Sequence, residues 1–454
     1  MGRREKPLKQ GDKTRTVEEI NEKISSGDVQ VLTVSEMKAL VESSGVKAAF
    51  NEVDVVTTGT MGAMCSSGAV VNLGHADPPI KIRDAWLNGV PVSHPGAAVD
   101  LYIGATQTAG DDLYEYGGAH VIEALIRGEE VELKANSPGT DCYPRTRLST
   151  VVTKDDLNQF QLLNFRNCYQ RYSCATNSRD ETIYTYMGKL LPRYGNATYS
   201  GAGELNPLVN DPDYETIGVG TRIFLGGGVG YVIGEGTQHN PAKALGTLMV
   251  KGDAKQMTPD YVRAASYTRY GTTLYVGLGV PIPILNEGVA QKVAVRDSQV
   301  LTNVEDYGTP RRSKPVLGSV SYRQLKSGRI TVAGQDVRVS PLTSLSKAQE
   351  ITLELKNWIE GGEFLLSAPV ERLPRDTVFS PMRQDDRQAV RQPTQRQPGI
   401  DGRRCISCGA CVALCPEEAI SLDSQNKVSL DRAKCVNCGE CVDACPLRAI
   451  TLPA

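Results

Sequence analysis

The chain has 454 residues, with 50 Lys and Arg against 52 Asp and Glu, and it contains 12 cysteines. That length implies several domains and ample chain for a large core, while a net charge of −2 excludes any broad electrostatic attraction to nucleic acid or to a membrane surface. No charged-then-apolar leader opens the sequence, and its best apolar stretch, 274–285, is short and broken by Gly277, Gly279, Pro281 and Pro283, so the expectation is a soluble, cytoplasmic protein.

Residues 1–15 read as a solvated basic tail with Arg3, Arg4, Lys6 and Lys9, and Lys6 stands where a myristoylation signal needs a small hydroxyl residue. The main body is expected over 16–380. Thr16-Val-Glu-Glu19 is a capping-box pattern that opens a helix through Ile20 and Ile24, ending near Gly27. Residues 29–33 predict a short strand, and 35–43 an amphipathic helix stopped at Gly45. The β-branched run 54–58 predicts a buried strand that feeds a glycine-rich loop, 57–81, with Cys65 in its middle. Backbone N–H groups in such a loop can converge on an anion or a carbonyl oxygen. A helix over 66–71 would put Cys65 at a helix N-terminus, the end that favours anions.

Residues 98–103 predict a strand, 120–126 a helix capped at Gly128, and 131–135 another strand. A turn-rich loop over 136–147 follows, carrying a second cysteine, Cys142. Beside it, Arg145 and Arg147 are candidates to favour a thiolate or to bind a substrate carboxylate. Residues 157–172 predict a helix with Leu162, Phe165 and Tyr169 inward. Cys168 on it and Cys174 just beyond read as buried packing, because a C-x5-C spacing is not a metal hook by itself.

The stretch 217–241 is the richest in glycine, yet it fits neither G-x-G-x-x-G in strand–helix register nor the Lys-Ser/Thr of a P-loop. It is expected to pack backbone closely around a site built elsewhere, or to line it. His75, His94, His120 and His239 are too scattered to form a metal set, although His75 and His239 stand in glycine-rich stretches and are kept as candidates. Strands are expected across 316–338 with Ser327 and Gly328 as a hairpin turn, then a helix over 346–358 stopped at Gly361 and Gly362. Strands and helices alternate without a clean βαβ repeat, so the main body is expected to be mixed α/β. The Gln-, Arg- and Pro-rich segment 381–400 reads as a linker with a flexible reach of about 25 Å.

The last segment, 401–454, speaks most plainly. Cys405, Cys408, Cys411 and Cys415 are spaced C-x2-C-x2-C-x3-C-P, and the same spacing returns at Cys435, Cys438, Cys441 and Cys445. This is the bacterial ferredoxin run for two [4Fe–4S] clusters, in which the fourth cysteine of each run serves the other cluster. One cluster is expected on Cys405, Cys408, Cys411 and Cys445, and the second on Cys435, Cys438, Cys441 and Cys415, within a small α+β ferredoxin-like domain. A pair of zinc knuckles is the rival, but four cysteines per run, no histidine and a repeated Cys-Pro argue against it. A disulfide framework is weaker still, since nothing else looks secreted.

Residues 57–81, TTGTMGAMCSSGAVVNLGHADPPIK, with TVEEIN at 16–21 and HPGAAVDLYIGAT at 94–106, resemble the homocysteine biosynthesis family. The resemblance runs from about residue 16 to about 373 and is most specific at the Cys65 and Cys142 loops. It implies a catalytic body with L-aspartate semialdehyde sulfurtransferase activity, of the kind found in methanogens and other anaerobes. The implied reaction joins aspartate semialdehyde, sulfur from sulfide or a persulfide donor, and two electrons from a low-potential donor to give homocysteine, a step towards methionine. Cys65 and Cys142 match the family's pair of essential cysteines, Cys65 first as sulfur carrier or nucleophile and Cys142 as the thiol that resolves a disulfide with it. Arg145, Arg147 and His75 are the substrate-binding candidates. Two other readings stand beside this one: ferredoxin-linked sulfur transfer or reduction on another aldehyde, and a non-catalytic electron-transfer or sulfur-carrier subunit. Homo-oligomerisation is left open.

Overall fold

The computed structural model describes residues 14–93, 97–110, 115–310, 314–380, 382 and 399–451. The expected 1–15 tail and 381–400 linker fall almost entirely outside these residues, as does His94. The chain divides into two units, Met1–Ser380 and Pro381–Ala454. Among the described residues no helix is long and apolar enough to cross a membrane.

The first unit opens with two capped helices. Thr16 with Glu19 starts Val17–Ser26, and Thr33 with Glu36 starts Val34–Ser44; in each, both halves of the capping box are made. A third helix that the sequence did not announce, Val46–Glu52, follows directly after Gly45.

These helices and Leu345–Glu360 pack on a ten-stranded sheet. Its order is Val31–Thr33, Val55–Ala63, Gly271–Pro283, Arg222–Leu225, Gly228–Glu235, Leu248–Asp253, Gln159–Asn167, Ser67–Asn72 and Asp100–Gly104, with Val262–Tyr267 paired on Gly271–Pro283. The apolar stretch 274–285 is therefore a central strand, buried over nearly all its length. Gly59 and Gly279 let Leu345–Glu360 lie flat on it: a Cβ on Gly59 would meet the Ala348 carbonyl oxygen at 2.5 Å, and one on Gly279 would meet Ile351 Cγ2 at 2.7 Å.

The sheet is rolled, and the connectivity requires it. Val55–Ala63 is second in the order and Ser67–Asn72 eighth, yet only Met64, Cys65 and Ser66 join them. Six strand spacings span about 29 Å in a flat sheet, whereas four Cα steps reach at most about 15 Å. The far edge closes too, where the Thr272 hydroxyl donates to the Ala105 carbonyl at 2.8 Å. Cys65 sits at this seam.

Four expectations are corrected. The glycine-rich 57–81 segment is mostly two strands with a three-residue turn at Cys65, because its small residues serve close packing in the sheet rather than an open loop. No helix follows Cys65; residues 67–72 are a strand. The expected 157–172 helix is the strand Gln159–Asn167, whose Phe160, Leu162 and Asn164 are buried alternately. Pairing on both sides, with Leu248–Asp253 and Ser67–Asn72, overrides its local preference. The hairpin turn falls at Ala333 and Gly334, between Arg329–Val332 and Gln335–Pro341, because a capping box of Ser321 and Gln324 starts the short helix Tyr322–Lys326 first.

Two further sheets complete this unit. One has six strands, in the order Val316–Ser321, Leu301–Asp306, Cys174–Thr176, Ala197–Tyr199, Gln335–Pro341 and Arg329–Val332. The other is antiparallel with four, Val90–Val92, Asp84–Leu87, Val131–Asn136 and Arg147–Val152. The body is thus mixed α/β, as the alternation of elements implied.

The second unit has an approximate twofold repeat. Gly399–Ile400 pairs with Ile450–Thr451, and Ile420–Leu422 with Val428–Leu430, both antiparallel. Cys411, Ile420 and Ile450 form its buried centre, a core so small that bound metal is the usual means of holding such a fold.

Candidate functional site

The turn that carries Cys65 is pinned from both sides. Met64 N–H donates to the Leu274 carbonyl at 2.8 Å and Ser67 N–H to the Met64 carbonyl at 3.0 Å. The Ser66 hydroxyl donates to Asn164 Oδ1 at 3.2 Å and to the Arg166 carbonyl at 3.1 Å. The Cys65 thiol is half-buried and accepts a hydrogen bond from the Thr273 hydroxyl at 3.4 Å.

Cys65 faces a cavity of about 270 Å³ whose wall includes Arg166, Tyr169, Tyr172, Tyr186, Gln238 and Tyr270. Burial pushes the Tyr169 phenol up to about 12, with Arg166 opposing and Cys65 adding to the rise. Burial and then Cys65 push Tyr270 up to about 12 as well. Arg166 Nε is buried without a hydrogen-bond partner among the described residues, which is costly unless something fills the place. The site therefore offers a thiol, a ring of phenols and a cationic donor awaiting an acceptor. A cavity of about 590 Å³ lined by Lys38, Glu42, Lys292 and Arg296 is larger, but no thiol lines it.

Cys142 is exposed in the loop between Val131–Asn136 and Arg147–Val152. This loop is tied to 77–79: Arg145 Nε donates to the Pro78 carbonyl at 2.9 Å, Arg145 Nη2 to the Asp77 carbonyl at 2.5 Å, and Arg145 N–H to the Pro79 carbonyl at 3.2 Å. His75 lies there too, its ring 5.8 Å from that of Tyr143. These residues follow Asn72, at the end of Ser67–Asn72 opposite Cys65. Six residues of strand rise about 20 Å, far beyond the Cα separation of about 7 Å that a disulfide permits. The structure thus does not bring Cys142 to Cys65 within one chain, which corrects the expectation of a disulfide between them. His75, Arg145 and Arg147 group with Cys142 and not with the cavity. The Arg145 side chain is spent on backbone carbonyls, and Arg147 is exposed at the start of its strand.

Cys168 and Cys174 are fully buried, and burial pushes both thiols up to about 12. They are packing, as expected. His239 is buried with both ring nitrogens engaged: Thr247 N–H donates to Nδ1 at 3.1 Å, and Nε2 lies 2.9 Å from the Pro374 carbonyl. Of the glycine-rich 217–241 stretch, Gln238 reaches the cavity wall. Sequence reasoning missed Arg166 and the tyrosines. The available signal was an arginine two residues beyond Asn164 on a strand that alternates buried and half-exposed positions.

In the second unit the eight run cysteines surround two cavities. Cys405, Cys408, Cys411 and Cys445 line one; Cys415, Cys435, Cys438 and Cys441 line the other. Among the described residues no three His, Cys, Asp or Glu converge as a single metal ion would need, so each set of thiols is spread around a larger body. Ala419 N–H donates to Cys415 Sγ and Ala449 N–H to Cys445 Sγ, each at 3.2 Å. Four soft thiolates around each cavity, with backbone N–H groups on the sulfurs, fit an iron–sulfur cluster.

Residues 29–366 match the family described as homocysteine biosynthesis enzyme, sulfur-incorporation, and residues 404–449 match a 4Fe-4S dicluster domain. The chain is 55% identical over 370 residues to the L-aspartate semialdehyde sulfurtransferase of Methanosarcina acetivorans, covering 82% of this chain and 74% of the relative. It is 54% identical over 377 residues to the protein of the same name from Methanocaldococcus jannaschii, covering 80% and 74%. An uncharacterized protein of Methanothermobacter thermautotrophicus is 29% identical over 421 residues, covering 90% and 85%. No solved structure matches.

Proposed function

The chain belongs to the homocysteine biosynthesis family of sulfur-incorporating enzymes, and we propose that it converts L-aspartate semialdehyde to L-homocysteine in the Cys65 cavity. The observation that carries this reading is a half-buried thiol facing a cavity in which the buried Arg166 Nε lacks a partner. A small amino-acid aldehyde brings what those groups need: a carboxylate for Arg166 and a carbonyl carbon for a sulfur nucleophile.

Cys65 is the thiol on which sulfur is presented, as a persulfide or beside bound sulfide. The incoming sulfur adds to the carbonyl carbon, the carbonyl oxygen becomes a hydroxyl and leaves as water, and the carbon is reduced to the thiol level. With sulfide as the source the balance is one aldehyde, one sulfide and two electrons to one thiol and one water. A persulfide sulfur stands two oxidation levels higher and needs two electrons more. Arg166 orients the substrate, and the tyrosine wall keeps bulk water from the adduct. When bound, two [4Fe–4S] clusters on the crossed cysteine sets would supply low-potential electrons, taken in turn from an external donor.

Cys142, exposed at a loop tip, is the thiol that a persulfide donor can reach. Passing that sulfur to Cys65 requires the loop, or Cys142 of a second copy, to cross the gap. Anaerobic reconstitution followed by assay of homocysteine from the semialdehyde tests the reading. Cys65→Ser is expected to abolish product from every sulfur source while cluster absorbance stays intact, and Cys142→Ser to lose persulfide-dependent product only. An active Cys65→Ser variant would sink the assignment.

A further inference from the structure

A second cavity, of about 600 Å³, adjoins the first, with Tyr172, Tyr186 and Gln238 lining both. Its wall includes Arg171, Lys243, Lys314 and Glu305. Tyr186 stands in this shared wall with three donors converging on its phenol oxygen: Lys314 Nζ at 2.6 Å, the Tyr307 hydroxyl at 3.1 Å and the Tyr172 hydroxyl at 3.3 Å. Lys314 is held in turn over the Tyr307 ring, 3.5 Å from its centroid. No other phenol in the Cys65 cavity wall has such a set among the described residues.

Three donors on one oxygen, one of them an ammonium, are an arrangement for carrying negative charge. We propose that Tyr186, held by Lys314, gives its proton to the aldehyde oxygen as sulfur adds to the carbonyl carbon. The proposal rests on the Cys65 cavity being the site of sulfur addition. In the step, the carbon–sulfur bond forms, the carbonyl π pair moves to oxygen, and the Tyr186 proton goes to that oxygen. The phenolate left behind is stabilised by Lys314, Tyr172 and Tyr307, and it recovers a proton from Lys314 or from water in the second cavity. A second transfer along the same path lets the hydroxyl leave as water. No oxidant or reductant enters either transfer.

The tyrosines around Tyr186 show why it is the acid. Burial raises Tyr169 and Tyr270 to about 12 and takes Tyr172 and Tyr307 well above the ordinary value. Burial acts on Tyr186 too, but the hydrogen bonds from Lys314, Tyr172 and Tyr307 outweigh it and leave this phenol lowered. The titratable groups that face it are Lys314, Tyr172, Tyr270 and Tyr307, with Cys65 and Arg166 across the cavity. An acid acts while it holds its proton, so turnover falls as pH rises through the lowered Tyr186 value. Without Lys314 that alkaline limb moves to higher pH.

The test uses the reconstituted full chain, with tyrosine carbon-13 labelled at Cζ. Among the 18 tyrosines, one resonance should titrate below the rest, vanish in Tyr186→Phe and move upward in Lys314→Met. Tyr186→Phe should slow homocysteine formation by about 100-fold or more while iodoacetamide alkylates Cys65 at the wild-type rate. Lys314→Arg, which keeps the cation, should recover part of the rate lost in Lys314→Met. Wild-type turnover in Tyr186→Phe, or an alkaline limb that does not move in Lys314→Met, overturns the proposal. A wild-type enzyme that makes no homocysteine overturns the underlying reading instead, and the Cζ titration still reports on the Tyr186–Lys314 pair.

Discussion

Arg166 and Arg145 each lie near a cysteine, and what separates them is where their donors are spent. Arg145 gives its side chain to the Asp77 and Pro78 carbonyls, whereas Arg166 keeps a buried Nε without a partner beside Cys65. A hydrogen bond to a charged group is worth about 1.5–3 kcal/mol, and each 1.4 kcal/mol is a factor of ten in affinity. Arg166→Met is therefore expected to raise the KM for the semialdehyde by roughly 10- to 100-fold with a smaller effect on kcat, and Arg145→Met to leave KM unchanged. Initial rates against aldehyde concentration decide it, and equal KM values for the two variants would remove Arg166 from the substrate site. The cysteines were legible in the sequence because each belongs to a local motif. Arg166 and Tyr186 were not, since Tyr169, Tyr172, Tyr186, Tyr270 and Tyr307 lie far apart in the chain and meet only after the sheet rolls. Reading 157–172 as a helix also hid which face of that segment looks into the cavity.

At the scale of elements, glycine explains more of this body than loop flexibility does. Gly59 lies in the strand that leads to Cys65, and a methyl group there would meet the Ala348 backbone oxygen at 2.5 Å and Ile351 Cγ2 at 3.2 Å. Backbone cannot swing aside as a long side chain can, so the Leu345–Glu360 helix would have to lift. Gly59→Ala is expected to cost about 1–3 kcal/mol, the usual range for overpacking. Gly234→Ala, where a Cβ meets nothing within 4 Å, should cost little. Denaturant midpoints of the two variants make the comparison, and equal midpoints would show that the helix does not need Gly59. The capping boxes at Thr16 and Thr33 were readable because both partners lie within one turn. The strand Gln159–Asn167 was not, because what selects it is pairing with Leu248–Asp253 and Ser67–Asn72, distant in sequence.

At the scale of the whole molecule, the chemistry divides between two units, and the division can be tested by removing one function at a time. The first unit holds the thiol, the guanidinium and the tyrosine wall with no ligand from the cysteine runs. The second gathers the run cysteines in crossed sets, Cys445 completing the first run and Cys415 the second. Replacing one inner cysteine of each run, as in the double variant Cys408→Ser/Cys438→Ser, removes a ligand from both cavities and changes nothing among the residues that line the Cys65 cavity. The variant is expected to lose cluster absorbance and iron, and to form no homocysteine with a protein electron donor. Its Cys65 should still be alkylated and should still accept persulfide sulfur, as intact mass will show. A strong chemical reductant small enough to enter the cavity should then restore part of the turnover. Loss of Cys65 reactivity in this variant would mean that the first unit depends on the second for its structure, and the division of labour argued here would fail with it.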